Sequence, residues 1–128
     1  MKLLLDTHTF IWWDSEPNRL SAQALGLCQN PENSLVLSVA SLWEMQIKLQ
    51  LDKLRLALPL SQIVESQQQT NRIEILPIMM PHVFALENLP SHHKDPFDRL
   101  LIAQAIVEDA VLVTGDSMFS RYPINVAW

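Results

Sequence analysis

Apolar residues in this chain fall into short blocks separated by longer amphipathic stretches. Residues 2–5, with the run Leu3-Leu4-Leu5, are too few for a helix and predict a short buried strand. Thr7 to Trp13 predicts a helix capped by Thr7 or Thr9, broken at Pro17-Asn18. A second helix is expected over 20–29, stopping at Asn30-Pro31. Leu35 to Val39 is β-rich and bounded by polar residues, the pattern of a second strand.

Residues 40–50 predict an amphipathic helix with Leu42, Trp43, Ile47 and Leu49 on its core side. Pro59 separates it from a Gln-rich helix around 60–70, and Ile73 to Leu76 reads as a third strand. Pro81 fits the first turn of a short helix reaching about Leu89. The clearest helix runs from Asp95 to Glu108, with Asp95 at the N-cap, Pro96 in the first turn and an apolar run from Leu100 to Val107. A helix apolar on nearly all sides is buried. Val111 to Thr114 predicts a fourth strand and residues 124–127 a fifth. Short strands alternating with helices imply an α/β fold whose parallel sheet is covered on both faces.

Composition narrows the class. At 128 residues the chain is expected to be a single domain, residues 1–128, and its 48% apolar content excludes a disordered chain. One cysteine, Cys28, excludes an internal disulfide framework and fits a reducing cytosol. The apolar run after Met1 is too brief for a signal peptide or a membrane span, so a soluble, cytoplasmic protein without a membrane partner is expected. The net charge of −5 counts against a nucleic-acid binder unless several acids face bound cations, which invert the local field. Lys48, Lys53, Arg55, Arg99 and Arg121 are the candidate basic contacts, and ordinary surface solubility explains them equally well.

The candidate chemistry lies in acids placed at or after apolar runs. Ligands of a parallel α/β sheet bind beyond the carboxyl ends of its strands, where acids distant in sequence would meet. Clustered carboxylates repel unless protons or cations neutralise them. Asp6 follows the first strand, where it either joins such a site or favours a helix N-terminus through the dipole. Glu44 either joins the site or pairs with Lys48 four residues on. Asp98 shares a face with Leu101, Ile102 and Ala105, at the inner edge of its helix, whereas Asp95 has the simpler role of cap. Asp116, after Thr114-Gly115, is a site acid or a turn residue, and Thr114 would hydrogen-bond a water of the site or cap that turn.

Other chemistries fit less well. The four histidines, His8, His82, His92 and His93, lack zinc-ligand spacing. Two glycines, Gly26 and Gly115, cannot build a glycine-rich phosphate loop. A haloacid-dehalogenase-type phosphatase would need a second acid where His8 stands, and a receiver domain needs an acidic pair and a later lysine that do not fit. The four tryptophans are expected to serve packing rather than base stacking.

Taken in order, Leu4-Leu5-Asp6-Thr7-His8, Ser41-Leu42-Trp43-Glu44, the run from His93 through Asp95-Pro96-Phe97-Asp98-Arg99 to Ala105, and Val113-Thr114-Gly115-Asp116 resemble the PIN-domain family. The likeness is strongest to the toxin nucleases of VapBC-type toxin–antitoxin pairs, and Asp-Pro-Phe-Asp-Arg is its most specific part. It implies a three-layer α/β/α sandwich with a central parallel sheet of four or five strands. It also implies a divalent-metal-dependent ribonuclease using Mg²⁺ or Mn²⁺, with Asp6, Glu44, Asp98 and Asp116 as catalytic, metal-holding acids. Asp95, Thr114 and Arg99 are possible additions, with Arg99 or Lys48 touching phosphate. Such a site promotes in-line attack of an activated water on an RNA phosphodiester. A cognate antitoxin and a homodimer are the implied partners, with an antitoxin helix expected against Phe10 to Trp13 and Leu42 to Leu51 unless these segments are plain core. The rival reading is a catalytically silent PIN-fold binding module in which the acids cap helices and turns.

Overall fold

A computed structural model describes residues 1–128. Five strands form one all-parallel sheet: β1 (Lys2–Leu5), β2 (Ser34–Ser38), β3 (Glu74–Leu76), β4 (Val111–Val113) and β5 (Val126–Ala127), in the order β3-β2-β1-β4-β5. The helices are α1 (Thr7–Ser15), α2 (Ala22–Gln29), α3 (Val39–Gln50), α4 (Leu60–Asn71), α5 (Met80–Phe84) and α6 (Pro96–Val107). Short 3₁₀ turns cover Pro17–Arg19, Ala85–Asn88 and Ser117–Arg121. The single helix expected from Pro81 to Leu89 is thus α5 followed by a 3₁₀ turn.

Side chains on a strand alternate between faces, and this divides the core in two. Leu3, Leu5, Leu35, Leu37 and Val113 pack on one face with Phe10, Ala24, Met45 and Ile63 from helices α1 to α4. Leu4, Val36 and Leu112 pack on the other with Leu101, Ile102 and Ala105 of α6 and with Phe119 and Tyr122. Helices therefore cover both faces, the α/β/α sandwich that the strand pattern and the resemblance implied.

Polar side chains fix where the helices start. Ser21 caps α2, and Ser38 caps α3 by accepting from the Ala40 N–H at 3.0 Å. Ser38 also donates to Gln104 Oε1 at 2.5 Å, joining the end of β2 to buried α6. Against expectation, α3 turns Ala40, Ser41, Glu44 and Met45 inward and leaves Trp43 59% exposed. Small residues let the helix approach its neighbours closely, and the indole instead packs edge-on against Phe97, with ring centroids 5.2 Å apart. Within α6, Pro96, Ile106 and Val107 are exposed and Phe97 to Leu100 half-buried, so only the middle of the helix, Leu101 to Ala105, is enclosed.

Away from the strand ends, His82 is buried at the start of α5 and accepts the Met79 N–H at Nδ1 (3.0 Å). Its Nε2 therefore carries the proton and donates to Glu108 at 2.9 Å. That bond holds the Glu108 carboxyl below its ordinary range.

Candidate active site

The sheet register brings the predicted acids to one place. Leu5 pairs with Leu37 on one side and Val113 on the other. The next residues, Asp6, Ser38 and Thr114, therefore stand side by side at the carboxyl ends of β1, β2 and β4. The chain builds outward from β1 to β2 and β3, then returns to add β4 on the opposite side of β1. This is the topological switch point at which parallel α/β sheets bind ligands. A cleft of about 160 Å³ opens there, lined by Asp6, Glu44, Asp95, Asp98 and Asp116 together with His8 and Lys48.

Asp6 is buried and is itself the cap of α1, its Oδ1 accepting the Thr9 N–H at 2.7 Å. This corrects the expectation of a Thr7 or Thr9 cap. Thr7 instead donates its hydroxyl to Glu44 Oε1 at 2.6 Å, and Thr9 donates to the Val113 carbonyl at 2.9 Å. The other oxygen of buried Glu44 meets Lys48 Nζ at 3.0 Å, so Glu44 both lines the cleft and keeps its helical ion pair.

Asp98 lies in the first turn of α6. Burial, then the Asp95 charge, and more weakly those of Glu44 and Asp6, push its carboxyl from 3.8 up to about 7, with His93 acting in the opposite direction. Asp95 caps α6, its Oδ1 accepting the N–H groups of Phe97 (2.7 Å) and Asp98 (3.2 Å). Asp116 caps the turn after β4 through the Met118 N–H at 2.9 Å, while Thr114 Oγ1 accepts the Asp116 N–H at 3.1 Å. Thr114 thus fills the turn-capping role, the simpler of the two expected for it.

His93 is a site residue that sequence reasoning passed over with the other histidines. Its Nε2 lies 3.3 Å from Asp116 Oδ2, and its ring packs 4.5 Å from that of Phe119. The Tyr122 hydroxyl accepts the His93 backbone N–H at 2.7 Å and lies 3.1 Å from Nδ1. The hydroxyl proton is therefore directed to Nδ1, leaving Nε2–H to donate to Asp116. Arg99 does not face the cleft. Its guanidinium donates to the carbonyls of Pro90 (2.9 Å) and His93 (3.5 Å), holding the loop that carries His93.

The acids share a cleft, but no three of them converge closely enough to chelate an ion directly. The reason is visible in their partners: Asp6, Asp95 and Asp116 accept backbone N–H groups, and Glu44 is held by Thr7 and Lys48. Asp98 lacks such relief and keeps its proton to about pH 7. An all-oxygen, anionic donor set of this kind fits a hard divalent cation that retains part of its water shell.

Comparison with known proteins places the fold in a family. The family model of the PIN domain matches residues 3–125. Ribonuclease VapC22 of Mycobacterium tuberculosis is 32% identical over 115 residues, covering 89% of this chain and 86% of that protein. The crystal structure of VapBC2 from Rickettsia felis, bound to a promoter DNA fragment, superposes with a TM-score of 0.70 at 20% identity, over 99% of this chain and 98% of the other. FitAcB from Neisseria gonorrhoeae gives a TM-score of 0.60 at 18% identity, over 97% and 95%. A toxin–antitoxin complex from Klebsiella pneumoniae gives 0.60 at 16%, over 98% and 96%. With the motif order, the strand order and a family match over nearly its whole length, this chain belongs to the PIN-domain family.

Proposed function

We propose that this chain is a divalent-metal-dependent endoribonuclease, the toxin of a toxin–antitoxin pair. The observation that carries the reading is the cluster of five carboxylates in one cleft at the switch point of the sheet. The sequence likeness to a ribonuclease over most of both chains supports it.

Asp6, Glu44, Asp98 and Asp116 would hold Mg²⁺ or Mn²⁺, directly or through its waters. When bound, the ion supplies activation of a water and stabilisation of the leaving oxygen of an RNA phosphodiester. The chain's own residues do the positioning. Asp95 fixes the first turn of α6 and so the placement of Asp98. Thr7 and Lys48 fix the Glu44 carboxylate, and the Tyr122–His93 pair orients Asp116. Asp98, its carboxyl raised to about 7, would have to be deprotonated to hold a cation.

A cognate antitoxin, a second copy of the toxin and a cytoplasmic setting complete the proposal. The similar folds of VapBC2 and of the Klebsiella toxin–antitoxin complex support an antitoxin partner. The alternative, a catalytically silent binding module, is favoured by the protein partners that most of the acids already have. Asp6→Asn and Asp98→Asn separate the two. On purified RNA with Mn²⁺, each substitution should reduce wild-type cleavage at least a hundredfold while leaving the circular dichroism spectrum unchanged. A wild-type protein that leaves RNA intact in Mn²⁺ would favour the silent module.

A further inference from the structure

We infer that a second cleft, continuous with the acidic one, binds a nucleobase of the RNA strand beside the phosphate to be cut. The inference rests on the ribonuclease reading above. This cleft measures about 480 Å³, within the range of small-ligand sites, and is lined by His8, Trp12, Arg19 and Trp128 together with Asp6 and Asp116. Asp6, Asp116 and His8 line both clefts. A group seated against the rings therefore lies next to the acids.

The lining has the chemistry of a stacking platform. The His8 and Trp12 ring centroids are 5.8 Å apart, and those of Trp12 and Trp128 are 6.1 Å apart, so three rings follow one another along the wall. The Arg19 guanidinium lies over the Trp12 ring, 4.6 Å from its centroid, and covers that face as a base would, leaving Trp128 as the main platform. Its ion pair with Glu16 is exposed on both sides, with relative accessibilities of 58% and 57%, and such a pair yields readily to a phosphate. A Cβ added at Gly115 would meet the Trp128 ring at 3.0 Å, so the bare glycine lets the turn after β4 press against that indole. This sets Trp128 beside Asp116.

Charge gives an RNA strand little help here. Lys48, the one cation lining the acidic cleft, is tied to Glu44, and the chain carries a net charge of −5. Affinity for an RNA strand must then come mainly from the ion and from stacking, which tolerates any base. The apolar part of the lining is aromatic, from Trp12 and Trp128, which suits a planar base better than an aliphatic anchor from a protein partner. Trp12 and Trp128 thus take the base-stacking role that sequence reasoning had assigned to no tryptophan.

The test uses an oligoribonucleotide spanning a mapped cut, intact or with an abasic ribose at one flanking position, and Trp128→Ala, Trp128→Phe and Arg19→Gln. Trp128→Ala should raise KM for intact RNA about tenfold with kcat within twofold, the loss of one stacked base. Trp128→Phe should restore most of it, and Arg19→Gln should raise KM several-fold. An abasic ribose at one flanking position should cost wild type the same factor and cost Trp128→Ala nothing further. Equal losses on abasic and intact RNA would overturn the inference. So would an unchanged KM with weakened capture of a co-expressed antitoxin, which would give the cleft to the protein partner. Anisotropy of labelled RNA in Ca²⁺ reads the base site without cleavage. If wild type cuts nothing and Trp128→Ala still weakens that binding tenfold, the ribonuclease reading falls and the base site stands; equal binding overturns the base site.

Discussion

At the scale of single residues, Asp98 makes the strongest physical statement. Its carboxyl is raised from 3.8 to about 7, so between those values the folded chain keeps a proton that the unfolded chain has lost. Its contribution to stability is fully present below about pH 4, falls as pH rises through that window, and is lost above about 7. Calorimetry of metal-free protein should therefore show a larger fall in Tm from pH 5 to pH 8 for wild type than for Asp98→Asn, and Mn²⁺ should restore wild type at pH 8. Parallel pH profiles for the two proteins would contradict the assignment. Asp6, Asp95, Asp98 and Asp116 were legible in the sequence because each stands at a strand end or a helix start, whereas Glu44, inside α3, was marked out by the family likeness. Their partners were not legible. Nothing local tells Thr7 to reach Glu44, or His93 to reach Asp116 with Tyr122 behind it, because those contacts exist only once the strands are in register.

At the scale of elements, apolar runs revealed the central strands β1, β2 and β4, since a buried parallel strand is apolar on both faces, while the edge strand β3 was marked by alternation around Glu74. The faces of the helices were harder to read. Periodicity placed Trp43 on the core side of α3, whereas the helix turns Ala40, Ser41, Glu44 and Met45 inward and leaves that indole outside. Helix ends follow another rule. Asp52, Arg72 and Asp109 take left-handed φ values of 56°, 55° and 50° just after α3, α4 and α6, where glycine is usual. Arg72 has no short polar side chain to ease that conformation. Arg72→Gly should therefore stabilise the fold by about 1 kcal/mol and raise Tm by a few degrees. A lower Tm in thermal unfolding would show that the Arg72 side chain matters more than its backbone.

For the whole molecule, apolar side chains left in solvent bear on the proposed partners. Met80, Val83 and Phe84 form one face of α5 and are 71%, 48% and 67% exposed, and Trp43 and Leu51 are exposed on α3. Phe10, by contrast, is buried, and Ile11, Trp12 and Trp13 pack partly against the core, so that segment is mostly wall rather than open groove. No helix is long and apolar enough to cross a membrane. If the proposed antitoxin is a small protein encoded beside this chain, co-expression of the two should give a stable complex and relieve growth arrest caused by this chain alone. Free migration of the two proteins on gel filtration, with arrest persisting, would remove the antitoxin from the proposal.

Calorimetric titration of Mn²⁺ at pH 8 tests the convergence of the acids most directly. Wild type should bind saturably, and Asp6→Asn and Asp98→Asn should each weaken binding at least tenfold while remaining folded. Equal binding by all three proteins, or none by wild type, would contradict a shared cation site at the carboxyl end of the sheet.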